Sequence, residues 1–397
     1  MTFLKKNILV ICHDAQLYGS QQSLLLWLSG FAALGESSPW RFFVSVARPG
    51  PLTEKLASLP NVTLLTHRRL QWFKHDRRNP LQQLGDLLAL ILSAWPRAAA
   101  MAGIIRRHDI HLVHTNSAVS LEGALGAGLA GVPHIWHIRE RIAGDNPKLM
   151  PTLGAALTLK LIRRLSAAIL CISQAVATPL GSCNKIRVLY NAVPTPATMP
   201  ATQTAPHRRP DSPPFTLGFA GRLSEGKRLH VLLAALARLL GTHPDLRLKV
   251  AGDFVDTPYR KRIESLMQHP GLTGAVDYLG FQADLAGFYA ETDLLVVPSA
   301  HEPFGRVVIE AMAHQVLCLA SDSGGIPEII TDGETGFLAP VDDPDQLASI
   351  IETIKVTADK TPARLETIRQ NALRMIRDRF TLEAQVNAID RCYQSLC

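Results

Sequence analysis

Six cysteines (Cys12, Cys171, Cys183, Cys318, Cys392 and Cys397) are spread over 397 residues, and no pair has C-x-x-C spacing. Cys12, Cys171 and Cys318 lie inside apolar strand-like runs, so they read as buried free thiols in a reducing compartment. A secretory leader is not expected: Lys5-Lys6 precede only the short run Ile8 to Cys12, which then meets His13-Asp14 and reads as a first strand. No apolar run is both long and unbroken. Leu87 to Ile105 comes nearest, and Pro96 with Arg97 interrupts it, which predicts a core or interfacial helix broken at the proline. Helix-turn-helix and zinc-finger patterns are lacking as well, so the pI near 9.2 does not imply a nucleic-acid partner.

What is present suits two domains. The chain is 47% hydrophobic, enough for two cores. Charge is divided unevenly: residues 1–190 hold 21 Lys and Arg against 9 Asp and Glu, a balance of +12, and residues 191–397 hold 20 against 25, or −5. A basic first half and an acidic second half point to an anionic partner for the first domain.

The richest stretch runs from Asp293 to Glu328. A short apolar run, Leu294 to Val297, reads as a buried strand closed by Pro298. A loop through Gly305 follows, then a helical pattern from Arg306 to about His314, in which Val307 with Ala311 and Val308 with Met312 repeat at four residues. A second strand, Val316 to Ala320, ends at Ser321-Asp322-Ser323-Gly324-Gly325. This is a βαβ unit whose turns lie at strand C-terminal ends, where open α/β sheets bind ligands. Glu302-Pro303-Phe304-Gly305 sets an acid, an aromatic and bare backbone before a helix N-terminus. The N–H groups around Gly305, Arg306 and Val307 suit a phosphate there. Glu310 lies further along the helix, within reach of a polyol such as ribose. On the residues alone, Glu302 is equally a solvated loop acid, and Glu310 a partner of Arg306 at i,i+4.

Upstream, Phe215 to Ala220 reads as a strand leading into Gly221-Arg222-Leu223-Ser224-Glu225-Gly226-Lys227, a glycine-bounded turn with two cations. The pattern Glu302-Pro-Phe-Gly-x4-Glu310, the run Ser-Asp-Ser-Gly-Gly-Ile-Pro-Glu, Asp332-Gly-x2-Gly336-Phe337-Leu338 and this G-R-L-x3-K turn together resemble the retaining nucleotide-sugar glycosyltransferases of family 4. The resemblance covers nearly the whole chain. It implies an α/β GT-B fold, two Rossmann-like domains facing across a deep cleft, with a nucleotide-diphosphate sugar as donor substrate and neither cofactor nor metal. It further implies that Glu302 holds donor-sugar hydroxyls, that Arg222 and Lys227 stabilise the leaving diphosphate, and that main-chain groups near Phe281 lie beside the base. Gly19, Gly221, Phe304, Gly305, Arg306, Val307 and Glu310 complete the expected donor contacts.

In the first half, Gly19 stands in the strand–turn–helix after the first strand, where the family commonly carries paired glycines; here there is one. His137 matches a position where the family often has a histidine beside the donor sugar. Zinc at His111, His114, His134 and His137 is the competing reading, disfavoured because residues three apart in a strand face opposite ways. Trp72-Phe73 among Arg68, Arg69, Lys74, Arg77 and Arg78 has the composition of a membrane-surface contact and equally that of a solvated basic loop. Ser182-Cys183-Asn184-Lys185 spells S-x-x-K without partner motifs, a polar loop. Asp343-Pro344-Asp345 spells D-x-D but reads as an N-cap followed by proline at the first helical position.

The expected domains are residues 1–193 for acceptor, a stiff linker over 194–214 with seven prolines, and 215–380 for donor. The segment 381–397 is expected to pack back on the first. The expected acceptor is a cell-envelope or lipid-linked saccharide. The expected place is the cytoplasmic side, with peripheral seating on an anionic membrane face as one reading and a soluble enzyme as the other. A nucleotide-sugar 2-epimerase and a non-catalytic binding subunit are the alternatives.

Overall fold

The computed structural model describes residues 5–74, 79–142, 150–194 and 214–397. Most of the proline-rich stretch (195–213) and the pair Arg77-Arg78 lie outside the described residues. The chain divides into two compact units, Met1–Ala192 with Leu382–Cys397, and Val193–Thr381.

Short apolar runs bounded by polar turns supply the strands of the first unit. They are β1 (Lys6–Cys12), β2 (Trp40–Val46), β3 (Val62–Thr66), β4 (Phe73–Lys74), β5 (Ile110–Thr115), β6 (His134–Ile138), β7 (Met150–Pro151), β8 (Ala168–Cys171) and β9 (Ile186–Val188). Seven make a sheet in the order β3-β2-β1-β5-β6-β8-β9, parallel at every pair. β4 and β7 pair separately and antiparallel. Helices α1 (Gly19–Ala33), α2 (Pro51–Ala57), α3 (Pro80–Arg107), α4 (Glu122–Ala130), α5 (Ala155–Leu165) and α6 (Gln174–Ala177) connect the strands. Covered on both faces, the central strands are apolar throughout: Ile8 to Cys12 of β1 are all buried. Burial pushes the Cys12 thiol up to about 11 and Cys171 to about 12, so both are protonated packing groups.

The second unit repeats the plan. Its strands are β10 (Thr216–Ala220), β11 (Arg247–Ala251), β12 (Val276–Gly280), β13 (Leu294–Val297), β14 (Leu317–Ser321) and β15 (Phe337–Ala339). They form a parallel sheet in the order β12-β11-β10-β13-β14-β15. Its helices are α7 (Leu229–Leu239), α8 (Thr257–Met267), α9 (Ala286–Ala290), α10 (Arg306–Ala313), α11 (Pro344–Lys360) and α12 (Pro362–Arg379). The last helix, α13 (Leu382–Gln394), belongs to the first unit and packs on α1. The approach is close: a Cβ on Gly30 would lie 2.6 Å from Val386 Cγ2.

Two expectations are corrected here. Pro96 does not break its helix, because α3 runs without interruption from Pro80 to Arg107. Proline removes one N–H from the ladder, and its turn is exposed, so the orphaned carbonyl can meet water. Trp72 and Phe73 are not surface aromatics. Both are fully buried, Trp72 stacks on Trp136 at 5.6 Å, and its Nε1 donates to the Ala118 carbonyl at 2.7 Å. Composition cannot say which way a side chain points, and these two point into the core.

Candidate active site

In the second unit the strand order reverses between β10 and β13, and the crevice at such a switch point is where open sheets bind ligands. The loop after β10 carries Gly221, Arg222 and Lys227; the loop after β13 carries Glu302. They are tied to each other by the Ala300 N–H, which donates to the Gly226 carbonyl at 3.0 Å. Lys227 Nζ forms an ion pair with Glu302 Oε2. Glu302 is buried in the folded chain, so Lys227 offsets a carboxylate that would otherwise be costly to desolvate.

Glycines hold both loops from behind. Gly324 has φ +61°, and a Cβ there would sit 2.0 Å from the Glu302 carbonyl oxygen; the neighbouring Gly325 N–H donates to that oxygen at 2.9 Å. Gly252 has φ +144°, and its Cβ would sit 1.8 Å from the Gly221 carbonyl oxygen. Arg222 is exposed on the loop that Gly221 opens. The next cation after Lys227, Arg228, is engaged elsewhere, with its Nε 2.6 Å from Asp342 Oδ1.

Gly305 caps α10 with φ +109°, and a Cβ there would meet Ile326 Cδ1 at 2.6 Å. Arg306 and Val307, half-buried, open the helix, where the first N–H groups lack intrahelical acceptors. Glu310 does pair with Arg306 at i,i+4, and it also accepts from Tyr289 Oη at 3.2 Å. Burial and the Glu310 charge hold the Tyr289 hydroxyl well above its ordinary pKa, so it is a fixed donor. Tyr289 is a site residue that no sequence motif marked, because it comes from α9. Ser299 is another: its Oγ is buried in the Glu302 loop with no partner among the described residues. Phe304, expected among the donor contacts, turns its ring into the core and packs edge-on against Phe380 at 5.9 Å. Phe281 follows β12 with its ring about half exposed.

The first-unit expectations fall differently. Gly19 is the first residue of α1, with open space where a Cβ would project. His137 is completely buried. Its Nδ1 lies 3.2 Å from His114 Nε2, and His114 Nδ1 lies 2.6 Å from Tyr393 Oη. Burial, with Arg139 and His114 nearby, keeps His137 well below the usual histidine range, hence neutral. The ring is thus enclosed by neighbouring side chains, and its Nε2 has no partner among the described residues. Zinc is not favoured, since no group of three metal-binding side chains occurs among the described residues. His134 faces away and meets Thr115 Oγ1 at 2.8 Å, as the three-residue spacing requires.

Chemically, then, the second unit gathers cations, a buried carboxylate and a helix N-terminus around one crevice, a set suited to a sugar diphosphate. The chain is similar to known proteins. The family model for glycosyl transferases group 1 matches residues 202–372, and that for Glycosyltransferase Family 4 matches residues 52–196. The D-inositol 3-phosphate glycosyltransferase of Corynebacterium urealyticum is 31% identical over 51% of this chain and 48% of its own length. The lipopolysaccharide core biosynthesis mannosyltransferase LpcC of Rhizobium leguminosarum bv. viciae is 31% identical over 45% of this chain and 51% of its own. The chain thus spans about half the length of the curated relatives it matches. In fold, it resembles Anabaena Alr3699/HepE, solved with UDP and glucose, at TM-score 0.74 and 24% identity, over 98% of this chain and 99% of that one. Two Rossmann-like units, each with a parallel sheet, and two matched family models place the chain, of GT-B fold, in the group 1 glycosyltransferases of family 4.

Proposed function

We propose that this protein transfers a hexosyl unit from a nucleoside-diphosphate sugar to a saccharide of the cell envelope, free or lipid-linked, with retention at the anomeric carbon. The observation that carries the reading is the Lys227–Glu302 pair at the switch point, braced by Gly324 and beside the N-terminus of α10. Glu302 would hold donor-sugar hydroxyls and Glu310 the ribose, steadied by Tyr289. Arg222 and Lys227 would receive the charge that appears on the diphosphate as its bond to the anomeric carbon breaks. The acceptor oxygen bonds to that carbon on the same face, and its proton passes to a phosphate oxygen of the leaving group. With fixed cations meeting that charge, a metal is dispensable in this scheme. Relatives named for lipopolysaccharide core synthesis support an envelope acceptor.

The place of work in this reading is an anionic membrane face, on the cytoplasmic side, and α3 supports it. Leu81, Leu84, Leu88, Ile91, Leu92 and Trp95 line one stripe of that helix, each at least half exposed. By length and composition α3 is also apolar enough to cross a bilayer, but a stripe beside a polar face suits lying in the interface. Its one acid, Asp86, is paired with Lys74 at 2.9 Å, leaving Arg97, Arg106 and Arg107 as its remaining charges. A second copy would bring like charges together; an anionic surface would not.

The test incubates the purified full chain with labelled UDP- and GDP-sugars, with and without membrane extract. Label moved only when extract is present supports the transferase. Free epimer would identify an epimerase instead, and binding without turnover a non-catalytic subunit. Loss of activity in excess chelator would overturn the metal-free scheme.

A further inference from the structure

The first unit holds a cavity of about 640 Å³ at the C-terminal ends of β1, β2 and β3. The chain leaving β1 brings His13 and Asp14, that leaving β2 brings Arg48, and that leaving β3 brings Arg68 and Arg69; Arg97 comes from α3. Four guanidiniums therefore face one carboxylate, a balance of +3. Asp14 is already occupied in accepting the Gln16 N–H at 3.0 Å. Arg69 Nε is buried with no hydrogen-bond partner among the described residues.

The arginines are not on a loose surface strand. His67, which precedes them, has Nε2 2.9 Å from Glu122 Oε1 and Nδ1 2.9 Å from Ser45 Oγ, all within the buried interior. Leu70, which follows them, donates its N–H to Glu122 Oε2 at 2.9 Å and is itself buried. One buried carboxylate thus anchors Arg68-Arg69 from both sides and aims them at the cavity. Converging like charges in a concave wall repel one another unless an anion sits between them. A guanidinium presents a fork that matches phosphate oxygens two at a time, and an excess of three positive charges exceeds what one carboxylate needs. The volume leaves room beside a phosphate for a sugar ring.

We propose that this cavity binds the phosphate group of a phosphorylated saccharide acceptor, with Arg48, Arg68, Arg69 and Arg97 as its ligands. The inference rests on the first unit being the acceptor-binding one. It adds the charge of the substrate that the unit takes.

The full chain is titrated calorimetrically at low salt with glucose 1-phosphate, glucose and glucuronate, and separately with phosphatidylglycerol vesicles. Excess UDP and GDP are present throughout, so that the second unit does not report. Glucose 1-phosphate is expected to bind at least tenfold more tightly than glucuronate, and glucose not at all. Arg48→Gln and Arg68→Gln, at exposed positions that tolerate change, should each weaken it about tenfold and flatten its salt dependence. Arg69→Gln and Arg97→Gln should do the same with melting temperature preserved. Equal binding of phosphate and carboxylate sugars, unaltered binding in the arginine variants, or binding to vesicles alone overturns the proposal. Hexose-phosphate binding without any glycosyl transfer would leave this site standing and sink the transferase reading. Transfer to an uncharged acceptor that all four variants retain would do the reverse.

Discussion

Lys227 and Glu302 stand 75 positions apart in the chain, yet their side chains meet as one ion pair between the loops that follow β10 and β13. Each partner stands in the loop after a strand at the switch point, so the pair exists because the strand order reverses there and sets β10 beside β13. If Lys227 is the main cation for the leaving diphosphate, Lys227→Ala lowers turnover by on the order of 100-fold. The change also strands a buried carboxylate, so melting temperature should fall in K227A and recover when Glu302→Gln is added, while turnover does not. Rate and melting measured on the single and double variants separate the two roles. Full activity in K227A would end the assignment.

Gly324 should be intolerant of any side chain. Its φ is left-handed and a Cβ would overlap the Glu302 carbonyl oxygen. Gly324→Ala is expected to push the Glu302 loop out of place, reducing transfer more than tenfold and costing about 1–3 kcal/mol of stability. Activity assays with denaturant melts check both. Gly226→Ala serves as the control, since nothing stands within 4 Å of a Cβ there.

Tyr289→Phe removes one hydrogen bond to Glu310 and little volume. If Glu310 holds the donor ribose, the KM for the nucleotide sugar should rise about fivefold, equivalent to roughly 1 kcal/mol, with kcat nearly unchanged. An unchanged KM would separate Glu310 from donor binding.

The first unit should be sensitive to acid. Burial pushes His114 and His134 down to about 3, and His137 is also held well below its ordinary value. A folded-state pKa below the unfolded one means that the unfolded chain binds protons first. Stability is therefore complete above about pH 6.5 and is lost as pH falls toward about 3. His114 and His134 each remove about 1.4 kcal/mol by pH 5.5, about 3 together, and His137 adds to the loss in the same direction. Melts of the full chain at pH 7.5 and 5.5 report this, and a pH-independent transition of the first unit would falsify it.

Trp72 and the α3 stripe should behave in opposite ways. Trp72→Ala empties a core site and should cost about 3–5 kcal/mol. Replacing Leu84, Leu88 and Leu92 by Ser should leave the fold intact and abolish co-sedimentation with anionic vesicles. Equal sedimentation of that triple variant and the parent would refute the membrane half of the proposed function. A concentration-dependent dimer lost in the variant would identify a second copy as the occupant of the stripe.

Much was legible in the residues. The strands β10, β13 and β14 and the helix α10 followed from apolar runs and glycine-bounded turns, and the reading of Asp343 as an N-cap matches its Oδ1 accepting from the Asp345 and Gln346 N–H groups. Local spacing alone settles such features, because caps, turns and strand lengths depend on neighbours in the chain. The order of motifs likewise identified the family. It could not tell whether Glu310 pairs with Arg306 or serves another group, and the structure has it doing both, with Tyr289 arriving from α9.

What the chain order by itself determined is the alternation of strand and helix, the two-domain plan and the loops on which charged residues stand. Only the tertiary structure decided which of them meet. His114 and His137 lie 23 positions apart and touch because β5 and β6 are adjacent in the sheet. Trp72 is buried, against the expectation from its basic neighbours, and Leu92 is exposed where the residues left core and interface open, because burial depends on what packs over a residue from elsewhere in the chain. Arg48, Arg68 and Arg69 converge because parallel strands place their C-terminal ends side by side, whatever the distance between them in sequence, and α3 brings Arg97 to the same cavity.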